Sequence, residues 1–173
     1  MYIEALQQEI VITSQEEACA RINDSTSRNW NVCSICNTQD CSAPPFVHAA
    51  GLKQLFFDDV LEDWPASRYL AAEPEHIGQA IKFSRKIDHA PLLIHCRAGV
   101  SRSTALAWIL VYDKLRDSPE AARQSFDIIK AVRPCLGPNT HVLKLGINCL
   151  VEDFEQRQKL FAEFQACLIK PKA

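Results

Sequence analysis

"PLLIHCRAGVSRSTALAWILV", residues 91–111, changes character twice within a short span. Pro91–His95 is a continuous apolar run, the pattern of a strand covered on both faces. From Ser103 to Leu115 the chain is strongly apolar over helical length. The nine residues His95–Ser103 lie between, with a cysteine at the strand end, a glycine three positions later and an arginine six positions later. Strand, tight loop and helix in this order place the loop where open α/β folds bind ligands.

Working outward from this stretch, weak strand patterns cover Tyr2–Leu6 and Val11–Thr13. Ser14 with Glu17 three residues later forms a capping box that opens a helix through "QEEACARIND". Trp30–Ile35 reads as a strand, "NTQDCSAPPFVHAAG" as a loop, and "LKQLFFDD" as another strand. Pro74 suits the first turn of a helix through "EHIGQAIKFSRKI". Ser118-Pro119 opens the next helix, and Asn139 caps a last helical region reaching Leu168. Early strands separated by helical or loop segments, then mostly helices, predict an α/β fold. Its expected form is a mainly parallel sheet of about 4–5 strands flanked by helices, with the loop between the last strand and a helix.

The 173 residues suit one domain, expected to span 1–173. Apolar residues make up 47% and charged residues 23%, a balance ordinary for a globular protein, and the formal net charge is −2. No global basic field draws this chain to nucleic acid or an anionic membrane. The longest apolar run, Ala105–Tyr112, is far shorter than the ~20 residues that cross a bilayer. With no signal-peptide pattern at the start, the expectation is a cytoplasmic protein without membrane insertion. The tail stretch "LVEDFEQRQKLFAEFQACLI" can pack on its own domain or on another copy, so the sequence sets no oligomeric state.

Eight cysteines in this context are expected to be free thiols. Cys19, Cys135, Cys149 and Cys167 stand singly, as small buried hydrophobes do. Cys33, Cys36 and Cys41, with His48 downstream, have the composition of a zinc knuckle. However, "NWNVCSIC" alternates like a strand, on which residues three apart face opposite sides, and the strand reading is preferred.

The loop's chemistry follows from its position. The first N–H groups of a helix have no partner within it, and the helix dipole adds partial positive charge. Backbone N–H groups of Arg97, Ala98, Gly99, Val100 and Ser101 can turn inward as a nest for a tetrahedral anion. Gly99 permits a conformation or close approach that a side chain would obstruct. Arg102 supplies a planar fork that holds two phosphate oxygens. In this field the thiol of Cys96 is expected as a thiolate, placed for in-line attack on phosphorus.

The run His95-Cys96-Arg97-Ala98-Gly99-Val100-Ser101-Arg102-Ser103 resembles the H-C-x-x-G-x-x-R-[ST] signature of cysteine-dependent protein tyrosine phosphatases. Its wording is most similar to the dual-specificity branch, particularly the small bacterial members. "FDIIKAVRPCLGPN" resembles the branch's helix, Arg-Pro turn and Asn-containing cap, and "LKQLFFDD" its strand before the acid loop. The resemblance covers roughly Leu52 to Leu145.

It implies Cys96 as nucleophile, Arg102 as clamp on the phosphate, Ser103 as hydrogen-bond donor to the departing sulfur, and His95 as a support that orients the loop. Arg97 would line the mouth. The general acid would be an aspartate on a loop upstream: Asp59 on the strand-then-Asp pattern, with Asp63 and Asp58 as alternatives. Asp63 lies in "EDWPAS", whose Trp-Pro resembles the acid loop of larger tyrosine phosphatases, although there the Asp follows the Pro. Asp58 would otherwise end the strand or anchor the loop. The implied reaction needs no metal or cofactor, since Arg102 and the nest supply the positive charge. The implied partner is a phosphorylated protein or peptide.

Rival readings are a phosphoinositide or inositol-phosphate phosphatase, a phosphate-binding module without turnover, an RNA 5′-triphosphatase, and arsenate or rhodanese-type sulfur chemistry. Lysines within the loop would favour the first, and only Arg97 offers charge there. Retention of Cys96, Gly99, Arg102 and Ser103 argues for turnover. The chain is not basic enough to favour RNA, and the His-Cys pair with "RPCLGPN" counts against the last. Phe46, Trp64 and Tyr69 are candidates for pocket walls or for core.

Overall fold

The computed structural model describes residues 1–24, 29–40, 46, 48–61 and 68–169. Five strands make one sheet: β1 (Tyr2–Ile3), β2 (Gln8–Ser14), β3 (Asn31–Cys36), β4 (Gly51–Phe56) and β5 (Leu92–Cys96), in the order β1-β2-β5-β3-β4. β1 is antiparallel to β2, and the other pairings are parallel. The expected α/β architecture, strand count and mainly parallel sheet are therefore observed.

β5 owes its central place to its sequence. Every residue of Leu-Leu-Ile-His-Cys is buried, as are all six of β3, which suits strands covered on both faces. Alternation then sorts the side chains. Cys33, Ile35, Ile94 and Cys96 join the larger core with helices α2 (Pro74–Ile87), α3 (Arg102–Leu115), α4 (Ala121–Val132) and α5 (Thr140–Leu150). Val32 and Leu93 face a smaller core built from Ala18 and Ile22 of α1 (Gln15–Asn23), with Trp30 and Phe46.

α1 begins where the sequence placed it. Ser14 Oγ accepts from Glu17 N at 3.1 Å, and the Glu17 carboxylate accepts from Ser14 N at 2.7 Å. α3 is buried over eleven of its fourteen residues and forms the axis of the helical layer. Trp108 stacks on Phe164 at 4.2 Å and donates from Nε1 to Ser125 Oγ at 2.9 Å. Through Phe164 and Leu160, α6 (Phe154–Leu168) packs on its own domain.

Two sequence expectations need correction. Tyr2–Leu6 is strand only at Tyr2–Ile3; Glu4–Leu6 is a 3₁₀ turn, because the chain must reverse to pair Ile3 with Gln8. The helical region after Asn139 is two helices. Val151 is extended, and Asp153 starts α6 by accepting from Gln156 N at 2.8 Å. Among the described residues, no helix is long and apolar enough to cross a membrane.

Candidate active site

β2, β3, β4 and β5 run parallel and end on one edge of the sheet, with Ser14 level with Cys96 and Cys36 level with Phe56. β5 lies between β2 and β3, so the chain diverges on either side of its carboxyl end. The loop 97–101 forms there, in the crevice such a divergence leaves.

Hydrogen bonds from outside shape the loop. Gln15 N donates to Arg97 O at 3.2 Å, and Gly137 N to Val100 O at 3.0 Å. Ala105 N and Asn139 N donate to Ser101 O at 3.0 and 3.3 Å. A trans peptide plane carries its C=O and N–H on opposite sides. Carbonyls held outward therefore turn the N–H groups of Ala98, Ser101 and Arg102 toward the inside of the loop. Gly99 has a φ of 71°, and a Cβ there would lie 2.4 Å from the Thr13 carbonyl carbon. Both facts require glycine at this position.

The sulfur of Cys96 lies inside this ring, 3.2 Å from Ser103 Oγ, and the residue is 1% exposed. Burial acts most strongly on the thiol and in the raising direction. Hydrogen bonds from the Ser103 hydroxyl, the Ser103 N–H and the Gly99 N–H, together with the charge of Arg102, outweigh it, so the pKa falls below the ordinary thiol value. Arg102 is 3% exposed. Its Nη1 donates to Phe57 O at 2.7 Å, and its Nε is buried without a hydrogen-bond partner. A buried cation with an open donor beside a thiolate is an arrangement built to receive an anion.

His95 is fully buried, and its Nε2 lies 2.9 Å from Ser34 Oγ, which in turn lies 3.4 Å from Cys36 Sγ. Burial lowers its pKa to about 4, against the effect of a hydrogen bond with the Cys96 backbone, and the nearby Arg102 lowers it further. The ring is neutral at pH 7 and fixed in place, with Phe46 packed edge-on at 5.1 Å.

The neighbouring aspartates have different surroundings. Asp58 is buried, and its carboxylate accepts from the Thr38 hydroxyl, from Thr38 N at 3.3 Å and from Leu70 N at 3.0 Å. It ties three segments together, and three of its acceptor sites are taken up in doing so. Asp59 is exposed; its Oδ1 accepts from Ser101 Oγ at 2.7 Å and from Asn139 Nδ2 at 2.8 Å. Both aspartates border a cavity of about 800 Å³ shared with Cys96, Arg97, Arg102, Arg68 and Tyr69. Asp63 and Trp64 lie outside the described residues. Tyr69 lines this cavity, whereas Phe46 belongs to the core.

Cys33 and Cys36 point to opposite faces of β3, one into the large core and the other toward Ser34. Cys41 lies outside the described residues, and among those described no group of three or more His, Cys, Asp or Glu side chains could hold a metal ion. Three contributors go beyond the sequence-based expectations. Gln15 and Ser34 come from distant segments and leave no local signal, and Arg133 is marked only by its place in the "AVRP" turn. Asn139 is the helix cap expected from the sequence, through Val142 N at 3.1 Å, and it holds Asp59 with its other end.

Comparison with known proteins gives the family. The family model for protein-tyrosine phosphatase matches residues 12–135, so the chain belongs to that family. The curated relative it matches is a dual-specificity phosphatase. The chain is 28% identical over 155 residues to dual specificity protein phosphatase 22-A of Danio rerio, covering 84% of this chain. It spans 61% of that relative's length. Among solved structures, a mouse protein of the dual specificity phosphatase type crystallised with zinc tungstate superposes with a TM-score of 0.53 at 19% identity, over 100% of this chain and 92% of the other. OH1 of the Orf virus, described as a tyrosine phosphatase with triple substrate specificity, gives 0.54 at 20% identity, over 86% of each chain.

Proposed function

We propose that residues 1–173 form one phosphatase domain that hydrolyses phosphomonoesters on proteins, with phosphotyrosine as main substrate and phosphoserine or phosphothreonine accepted. The observation that carries this reading is the buried Cys96 sulfur, 3.2 Å from Ser103 Oγ, inside a loop whose outward-held carbonyls turn N–H groups inward beside the buried Arg102. Cys96 Sγ attacks phosphorus, an S–P bond forms, and the bond to the tyrosyl oxygen breaks. Asp59 protonates that oxygen. Water then attacks the cysteinyl-phosphate, Asp59 takes its proton, and the S–P bond breaks to release inorganic phosphate. Ser103 Oγ, 3.2 Å from the sulfur, stabilises the departing thiolate. Arg102 and the N–H groups hold the equatorial oxygens throughout, and no resident metal is invoked. The expected setting is the cytoplasm.

The test is hydrolysis of p-nitrophenyl phosphate and of a phosphotyrosine peptide in the presence of chelator. Turnover of both, lost in Cys96→Ser, is the expected result. A folded wild type that turns over neither sinks the protein-phosphatase reading. Phosphoinositide substrates and plain phosphate binding are then the measurements that choose between its rivals.

A further inference from the structure

The carbonyls around the loop are not all held in the same way. Those of Arg97, Val100 and Ser101 accept from backbone N–H groups, which no side-chain change removes. Those of Ala98 and Gly99 accept from a side chain, the guanidinium of Arg133 at the end of α4: Nη2 to Ala98 O at 3.4 Å and Nε to Gly99 O at 3.2 Å. The remaining nitrogen, Nη1, meets the Glu17 carboxylate at 3.3 and 3.1 Å. Glu17 is itself fixed, because the same carboxylate closes the capping box of α1 on Ser14 N.

The peptide units concerned are the two that flank Gly99. A residue free to adopt either sign of φ gives these planes little resistance to flipping. A flip would point a carbonyl oxygen at Cys96 and remove an N–H from it, and the Gly99 N–H is one of the groups that hold the thiolate. We propose that Arg133, braced by Glu17, is a positioning residue of the reaction: gripping the loop from behind, it keeps the Gly99 and Val100 N–H groups aimed at the anion. This rests on Cys96 being the nucleophile. In this pair Glu17 is 50% exposed and Arg133, partly buried, 24%. The exposed carboxylate limits what the ion pair adds to stability, so the grip acts mainly on geometry.

The test compares wild type, Arg133→Met, Arg133→Lys and Glu17→Gln by three readouts: melting temperature, the pH dependence of kcat/KM, and substrate-free titration of the Cys96 thiolate by its ultraviolet absorbance against a Cys96→Ser blank. Attack requires the thiolate. Loss of N–H donors raises the thiol pKa, so the acid limb of the profile moves to higher pH. For Arg133→Met the expected result is a rise of about one pH unit in both titration and acid limb. Activity then falls by up to about tenfold on the acid side of the limb, with far less change on its alkaline plateau. Lysine, which reaches one carbonyl, recovers most of this, and Glu17→Gln falls between.

An unchanged thiolate titration in a folded Arg133→Met, or a loss equal at all pH values, overturns the proposal. If Arg133→Met fails to fold, Arg133→Lys and Glu17→Gln decide by the same titration. The titration uses no substrate, so a wild type without turnover would count against the enzymatic reading, while the thiolate titration would still decide the role of Arg133.

Discussion

Cys33 and Cys96 lie on adjacent parallel strands, and both point into the same core. Cys33 is paired with Ile94, two residues before Cys96, and the two thiols are 0% and 1% exposed. Burial pushes the Cys33 thiol up to about 12, against a slight opposing effect of Lys53. At Cys96 burial is again the strongest single influence, yet the pKa goes down. The difference lies in the chain just beyond each cysteine. Past Cys33 the strand continues, so its neighbours' N–H groups are spent on β4 and β5. Past Cys96 the chain curls, and N–H groups of the loop and of the first helical turn converge on the sulfur. A low dielectric penalises a charge only where no donors have been fixed in advance to meet it.

The sharpest way to break the comparison is to remove each thiol in turn. Cys96→Ser is expected to reduce phosphotyrosine-peptide turnover by on the order of 10⁶-fold, the scale seen when a nucleophile is deleted. Cys33→Ala should leave kcat within about threefold and appear instead as a core cavity costing about 1–2 kcal/mol in a denaturant melt. Turnover surviving in Cys96→Ser would transfer the chemistry elsewhere and void the contrast.

Chemical labelling tests the same contrast without substrate. At pH 7 a thiol with a pKa of about 12 is ionised in only ~10⁻⁵ of molecules. Iodoacetate, an anion that the nest also attracts, should modify Cys96 at pH 6 while Cys33 stays unmodified, as peptide mapping by mass spectrometry would read out. Inorganic phosphate should protect Cys96. Equal labelling of both, or no protection, would show that the nest does not set the thiol's state.

The loop could be read from the sequence because everything it needs is local. Cysteine, glycine, arginine and serine stand at fixed intervals between an apolar strand and an apolar helix, and the chain has one way to fold that segment. The central strands were equally plain from unbroken apolar runs. The break at Val151–Asp153 was less so, since Leu150–Leu168 carries helix-forming residues throughout. The redirection places Leu160 and Phe164 on the larger core, a tertiary demand that the local pattern does not announce. The resemblance put Asp59 ahead of Asp58, but the different surroundings of the two were hidden for the same reason. Adjacent residues on an extended segment face opposite ways, and which one faces Thr38 and Leu70 depends on segments far along the chain.

That pair supplies the next prediction. Asp59→Asn should reduce peptide turnover by ~10²–10⁴-fold and p-nitrophenyl phosphate turnover less, since the nitrophenolate leaves without a proton. Asp58→Asn removes a charge that accepts three hydrogen bonds and should lower the melting temperature by several degrees. A reversed pattern would make Asp58 the acid and Asp59 the anchor.

The last prediction concerns stability as a function of pH. His95 has a folded pKa of about 4 against 6.5 for the free side chain. Below pH 6.5 the unfolded chain binds a proton that the folded one refuses, so this contribution is fully present above 6.5 and fades as pH falls toward 4. The shift corresponds to about 3 kcal/mol by linkage. Urea melts between pH 7.5 and 4.5 should show that decline in wild type and a shallower one in His95→Asn, whose amide cannot titrate. Parallel slopes in the two proteins would mean that His95 accepts its proton in the folded state. The loop would then tolerate a second positive charge beside Arg102, and the balance that lowers the Cys96 pKa would owe more to charge and less to the N–H groups.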